Sequence, residues 1–386
     1  MAKIIMGSYM IRYPLGGNLS WALQYLSGFK DLGHDVYIVE KYVHDDSCFD
    51  LFNQKMTNDC TSGIKIVTDL LARFGLENNW CFVSHDDQYY GMSKKEIETL
   101  FKEADLYIEN GSHEAWNEEL SLSQAKTAFI DVDPVLTQIN FHYRKKKTIP
   151  YPIPDFDFYF TIGLNIGKPG NIIPTGDISW KYIFNPVNTK LFTQSSPNVD
   201  APYSTIMNWR SYYARPTLNG VSYGHKEDEF LKFQDLPSMT NIPLEVALAN
   251  IPDNKDKELE ELGWKVRHAQ DVTYSYDIFQ NYLKNVKGEF SCVKNMYAAT
   301  NSGWFSDKSA AFLASGRPVV LQETGFSSHL PVGEGLFAVN DVTEAKEAIE
   351  LIEGNYQHHS KKAREIAHEY LDTGKVLGHL LDEVNI

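Results

Sequence analysis

The chain is short of cysteine, of positive charge and of long apolar runs. Its four cysteines, Cys48, Cys60, Cys81 and Cys292, form no CxxC pair. The usual zinc and dithiol spacings are therefore absent, and all four read as buried free thiols. No run of about 18 apolar residues occurs, so no membrane-spanning helix is expected. The opening residues, MAKIIMGSYM, place one lysine before too short an apolar run and carry no small-residue cleavage site. They read as a first strand and not as a secretory leader, which points to a cytoplasmic protein. Lys and Arg number 36 against 51 Asp and Glu, a net charge of −15. A general nucleic-acid binder needs basic surface to displace counterions, so that class is not expected. The one basic run, Arg144-Lys145-Lys146-Lys147, reads as a solvated helix end, or else as a local contact for an anionic acceptor or a membrane surface.

What is present is an α/β rhythm long enough, at 386 residues, for two domains. Lys3 to Met10 reads as a strand, followed by the loop Arg12 to Asn18. A helix then carries Trp21, Ala22, Tyr25, Leu26, Phe29 and Leu32 at spacings of three and four, with Asn18 or Ser20 as its cap. Val36 to Val39, Leu106 to Glu109 and Thr127 to Asp131 read as further strands of a parallel sheet. From Pro150 to Pro202 proline, glycine and asparagine are frequent, which suits an irregular interdomain connection. Strands resume at Ser204–Trp209, Leu244–Leu248, Lys265–Ala269, Glu289–Val293, Val319–Leu321 and Leu336–Val339. Amphipathic helices are expected at Thr343–Ile352 and Ser360–Leu371. No repeat of fixed short period occurs.

The densest stretch is Gly288 to Val339. Lys308 to Ala314 reads as a short apolar helix, Gly316 as its C-cap and Val319-Val320-Leu321 as a buried strand. A loop feeding a helix start offers free N–H groups and a positive dipole end to phosphate. Ser306, Asp307, Lys308 and Ser309 lie at that start. The pattern small-Gly-x-Pro-Val-Val, then a glycine-bearing loop, then Gly-x-Gly-Leu-Phe, resembles the donor-binding half of glycosyltransferases of the GT-B fold. Further blocks are similar to a bacterial subgroup of them: FIDVDPVLTQ (129–138), FTIGLNIGKPG (160–170), IPTGDISWKYIFNPV (173–187), IMNWRSY (206–212) and the block 302–337.

The resemblance implies two Rossmann-like domains facing across a cleft. Residues 1–195 would form the acceptor side, with an irregular connector from about 150. Residues 196–386 would bind the donor, and the terminal helix would pack back onto the first domain. It also implies a nucleotide-sugar donor linked to UDP, GDP or dTDP, an unidentified acceptor, no other cofactor and no metal. Donor candidates are Ser306 to Ser309, Gly16-Gly17 in the first β–α loop, Arg210 and Lys294 at strand ends, and Gly325, Phe326 and Ser327. Candidates for the base come from the first half: Asp133 beyond the strand ending at Asp131, and His113 in Asn110-Gly-Ser-His. The spellings Asp131-Val-Asp133 and Asp155-Phe-Asp157 match a metal-binding pattern of another glycosyltransferase fold, but so Asp-rich a chain produces such pairs by chance. Many retaining GT-B enzymes carry two glutamates where this chain has Gly303 and Ala311. That leaves the stereochemistry open, with Glu323 and Glu334 as substitutes. A sugar-nucleotide epimerase or hydrolase, or a non-catalytic binding protein of the same fold, remains an alternative.

Overall fold

A computed structural model describes all residues except 112–114, 149–152, 196 and 212–214. Its strands form two main sheets. The first runs, edge to edge, Lys181–Tyr182, Phe158–Thr161, Lys126–Asp131, Leu106–Asn110, Lys3–Gly7, Asp35–Lys41, Trp80–Val83 and Tyr89–Gly91. All neighbours are parallel except the last pair. The second runs Lys265–His268, Leu244–Ala249, Tyr203–Asn208, Gly288–Ser291, Val319–Gln322 and Leu336–Val339, and is wholly parallel. Parallel strands covered on both faces read as continuous apolar runs. Ile4, Ile5 and Met6 in one sheet and Val319 and Val320 in the other are fully buried. Each sheet reverses its strand order beside its first strand, which is where open α/β sheets bind ligands.

Five sequence expectations need correction. Gly16 and Gly17 belong to the helix Gly16–Asp31 and not to the preceding loop; extended Leu15 is its N-cap. Asn18 does not cap it: its side-chain amide donates to the Tyr9 and Tyr13 carbonyls at 3.0 and 2.9 Å and ties down the loop. Gly16 lacks a Cβ for a packing reason. A methyl there would strike the Ser275 carbonyl oxygen and lie 2.8 Å from Phe279 Cβ in the second half. The expected irregular connector contains two strands, Phe158–Thr161 and Lys181–Tyr182, which extend the first sheet in parallel register.

The cysteines are not all free. Cys48 and Cys60 are bonded to each other, because the hairpin Cys48–Asp50/Lys55–Thr57 returns the chain until their Cα atoms are 5.6 Å apart. Cys81 and Cys292 are free and buried, and burial pushes their thiols up to about 12 and about 11, far from nucleophilic use. Finally, the helix expected to end at Leu371 is Tyr356–Ile366, closed by a π-turn over Ala367–Leu371. Extended Asp372 follows, and then a further helix, Thr373–Glu383. This last helix lies on Gly16–Asp31, where Gly28 makes room for Thr373 and Leu377. Lys126 Nζ fastens its end by donating to the Val384 carbonyl at 2.7 Å.

Candidate active site between the two sheets

A cleft of about 570 Å³ opens between the carboxyl ends of the two sheets. The first half lines it with Tyr9, Trp21 and Asp133, and the second with Lys226, Lys294 and Asp307. Asp133 stands on a braced turn. Buried Asp131 accepts from the Asp133 amide at 3.0 Å, and from Gln138 Nε2 and Thr161 Oγ1 at 2.7 Å each. Burial pushes the Asp131 carboxyl up, and the side-chain bonds from Gln138 and Thr161 oppose the shift. Gln138 in turn accepts from the Val135 amide at 2.6 Å. Val135 itself holds φ +76 and ψ −55, a strained setting for a β-branched residue. Strain of that kind survives only where surrounding bonds over-determine the backbone, as they do here.

Lys294 is fixed from the other side. Gln322 accepts from the Val293 amide at 3.1 Å. Asn295 donates to buried Glu229 at 2.6 Å and accepts from the Gly224 amide at 2.7 Å. The result is a contact across the cleft: Lys294 Nζ lies 3.1 Å from Asp133 Oδ1 and 3.2 Å from Oδ2. The Tyr297 hydroxyl donates to the same carboxylate. Burial, then the Asp133 charge, raises the Tyr297 phenol well above its ordinary range, so it stays a donor. Tyr297 stacks on Trp304 at 4.5 Å, and Tyr9 meets Trp21 at 5.7 Å, giving the cleft aromatic walls.

The other sequence candidates fall in three places. Asp307 opens the helix Asp307–Ala314 and faces the cleft, with its carboxyl pushed up first by burial. Gly17 also faces it. Lys308 does not line the cleft. Its ammonium sits 2.5 Å from the fully buried Glu289 carboxylate and donates to Thr205 Oγ1 at 2.9 Å and Ser291 Oγ at 3.2 Å. Ser306 is buried and makes no side-chain cap bond, and Ser309 is fully buried. Arg210 is exposed and holds both oxygens of Glu227 through Nε at 2.9 Å. Gly325 has φ +95 and its amide is taken by the Glu323 carboxylate; Phe326 is buried and Ser327 exposed. Glu334 pairs with His358 at 2.9 Å on the surface. His113 lies outside the described residues.

Sequence reasoning passed over Lys226, Tyr297, Trp304 and Trp21. Lys226 is the most telling, because its ammonium shares Ser291 Oγ with Lys308, at 3.4 and 3.2 Å. Burial first, and the Lys308 charge second, push it down to about 8. The only sequence signal was a lysine opening a short helix after Gly224-His225.

The two missing glutamates now have a structural reason. Gly303 has φ +77, and a Cβ there would lie 2.8 Å from the Asn165 amide nitrogen of the first half. Ala311 is 6% exposed inside the helix packing. A side chain at Gly303 would be both strained and crowded, and Ala311 is buried. Among the described residues no cluster of three or more His, Cys, Asp or Glu could hold a metal ion. Likewise no helix among them is long and apolar enough to cross a membrane.

No protein-family model matches the sequence, and no curated protein sequence does either. Solved structures do match, over the whole length. An alpha-glucosyltransferase in complex with UDP and a 13-mer DNA superposes with a TM-score of 0.60 at 12% identity, covering 99% of both chains. The chain has the GT-B fold. HepE of Anabaena, in complex with UDP-glucose, follows this GT-B frame with a TM-score of 0.58 at 11% identity over 100% of both chains. Sucrose-phosphate synthase of Thermosynechococcus elongatus gives 0.57 at 11% identity, covering 100% of this chain and 99% of its own.

Proposed function

We propose that this GT-B chain is a glycosyltransferase that moves a sugar from a nucleotide-activated donor to an acceptor hydroxyl. One observation carries the reading: a carboxylate from the first half, Asp133, and an ammonium from the second, Lys294, meet in a cleft at the switch points of both sheets. In this reading Asp133 takes the acceptor's proton as its oxygen bonds to the anomeric carbon. The bond from that carbon to the phosphate oxygen breaks, and the diphosphate leaves with the electron pair. Lys294, Lys226 and the first amides of the helix Asp307–Ala314 face the charge that develops on that leaving group. Asp307 suits the sugar better than the phosphates, because a carboxylate beside a diphosphate repels it. The similar structures hold UDP or UDP-glucose, which favours a uridine nucleotide over GDP or dTDP. The DNA bound by one of them is an unsuitable acceptor for a chain of net charge −15.

The test is a panel of UDP-, GDP- and dTDP-sugars read by nucleoside diphosphate release with and without acceptors, and by calorimetric binding. Failure of every nucleotide to bind sinks the reading. Free sugar released at full rate without any acceptor would mark a hydrolase instead.

A further inference from the structure

The carboxylate assigned to accept a proton is already engaged by two donors. Both its oxygens face Lys294 Nζ, at 3.1 and 3.2 Å, and Oδ1 also accepts from Tyr297. An acceptor hydroxyl must compete with these two donors for the carboxylate oxygens. The same ammonium lines the space where a diphosphate would sit. We propose that Lys294 is handed from Asp133 to the donor's diphosphate, so that donor binding itself uncovers the base; this rests on the donor reading above. The backbone around Lys294 is pinned through Val293 and Asn295, so the handover needs only side-chain motion. Tyr297 is buried and stays behind as the hydroxyl that holds Asp133 in place. Donor therefore binds before any acceptor hydroxyl can lose its proton, and Tyr297 acts as a positioning residue.

The experiment is a double-mutant cycle on the binding of whichever of UDP, GDP and dTDP the wild-type chain binds best, measured by calorimetry. Asp133→Asn is expected to tighten binding about fivefold, the scale of a partly exposed ion pair. In a Lys294→Met background the same change should do nothing. Equal tightening in both backgrounds would mean plain repulsion and overturn the handover. So would unchanged or weaker binding by Asp133→Asn alone. Tyr297→Phe, a shape-conserving second variant, should weaken binding about twofold, because the released carboxylate loses its remaining donor. A Tyr297→Phe effect of the same sign as Asp133→Asn also overturns the proposal. A wild-type chain that binds none of the three nucleotides removes the donor reading and this inference together, whereas the cycle removes the inference alone.

Discussion

Two lysines of the second half meet carboxylates, and the two meetings differ in kind. Lys308 pairs with Glu289 inside one half, with side chains 14% and 0% exposed. Lys294 pairs with Asp133 across the cleft, with side chains 23% and 24% exposed. The first pair cannot part cheaply, since a buried carboxylate left alone costs about 3–5 kcal/mol. The second gives up only a contact that water and a ligand can replace. Position at a helix start or strand end therefore does not tell a ligand-binding lysine from a structural one. What tells them apart is whether the partner carboxylate can survive without it.

The largest expected effect sharpens the open pair. Asp133→Asn should slow transfer by about 10²–10⁴-fold, the range for loss of a general base. The protein should melt normally, and diphosphate release at saturating donor gives the rate. The next bears on the closed pair. Lys308→Met should cost about 3–5 kcal/mol of stability in denaturant melts, and adding Glu289→Gln should recover much of it. If Lys308→Met melts normally yet loses nucleotide affinity, the comparison breaks and Lys308 is a phosphate ligand after all. Lys294→Met should do the reverse: about tenfold weaker nucleotide binding, with stability changed by less than about 1 kcal/mol.

The smallest effect is on pH. Lys226 is pushed down to about 8, first by burial, then by Lys308, with Lys294 adding to the push and Cys292 and Glu289 opposing it. Nucleotide affinity should fall a few-fold as pH rises through about 8 and the amine loses its charge. The sign for stability is opposite. Between about 8 and the ordinary 10.5 the unfolded chain binds the extra proton, so this group's contribution to stability rises with pH across that window. A Lys226→Met protein should show neither trend.

The fold was open to reading because its signals are local. Val319-Val320-Leu321 is apolar throughout, Gly316 takes φ +69 at a helix end, and Pro318 stops the helix from continuing. Asp133 was also open, since a strand end followed by Pro134 must form a loop at the sheet's carboxyl edge. The ranking of lysines was not. It depends on Glu289, which sits in a fully buried strand and whose own charge is the local hint: an acidic residue in such a strand implies a buried cation nearby.

 

Lys226, Tyr297 and Trp304 were hidden for a different reason. They reach the cleft only when both sheets are in place, and no spacing along the chain joins them to Asp133. Gly16 likewise answers to Ser275 and Phe279, far along the sequence.

The chain passes between the halves twice, and both passages lie side by side. Val187 donates to the Leu371 carbonyl at 2.8 Å and accepts from the Thr373 amide at 3.1 Å. The outgoing and returning segments are thus bonded to each other, so the halves are joined by a paired connection and not by a single tether. Arg73–Asp277 also spans the halves, on the surface and away from this joint, at 2.7 Å. The last helix then serves the first half: cutting the chain at Asp372 would remove one of the two paired segments and strip cover from Gly28, loosening the first half while leaving the second sheet whole.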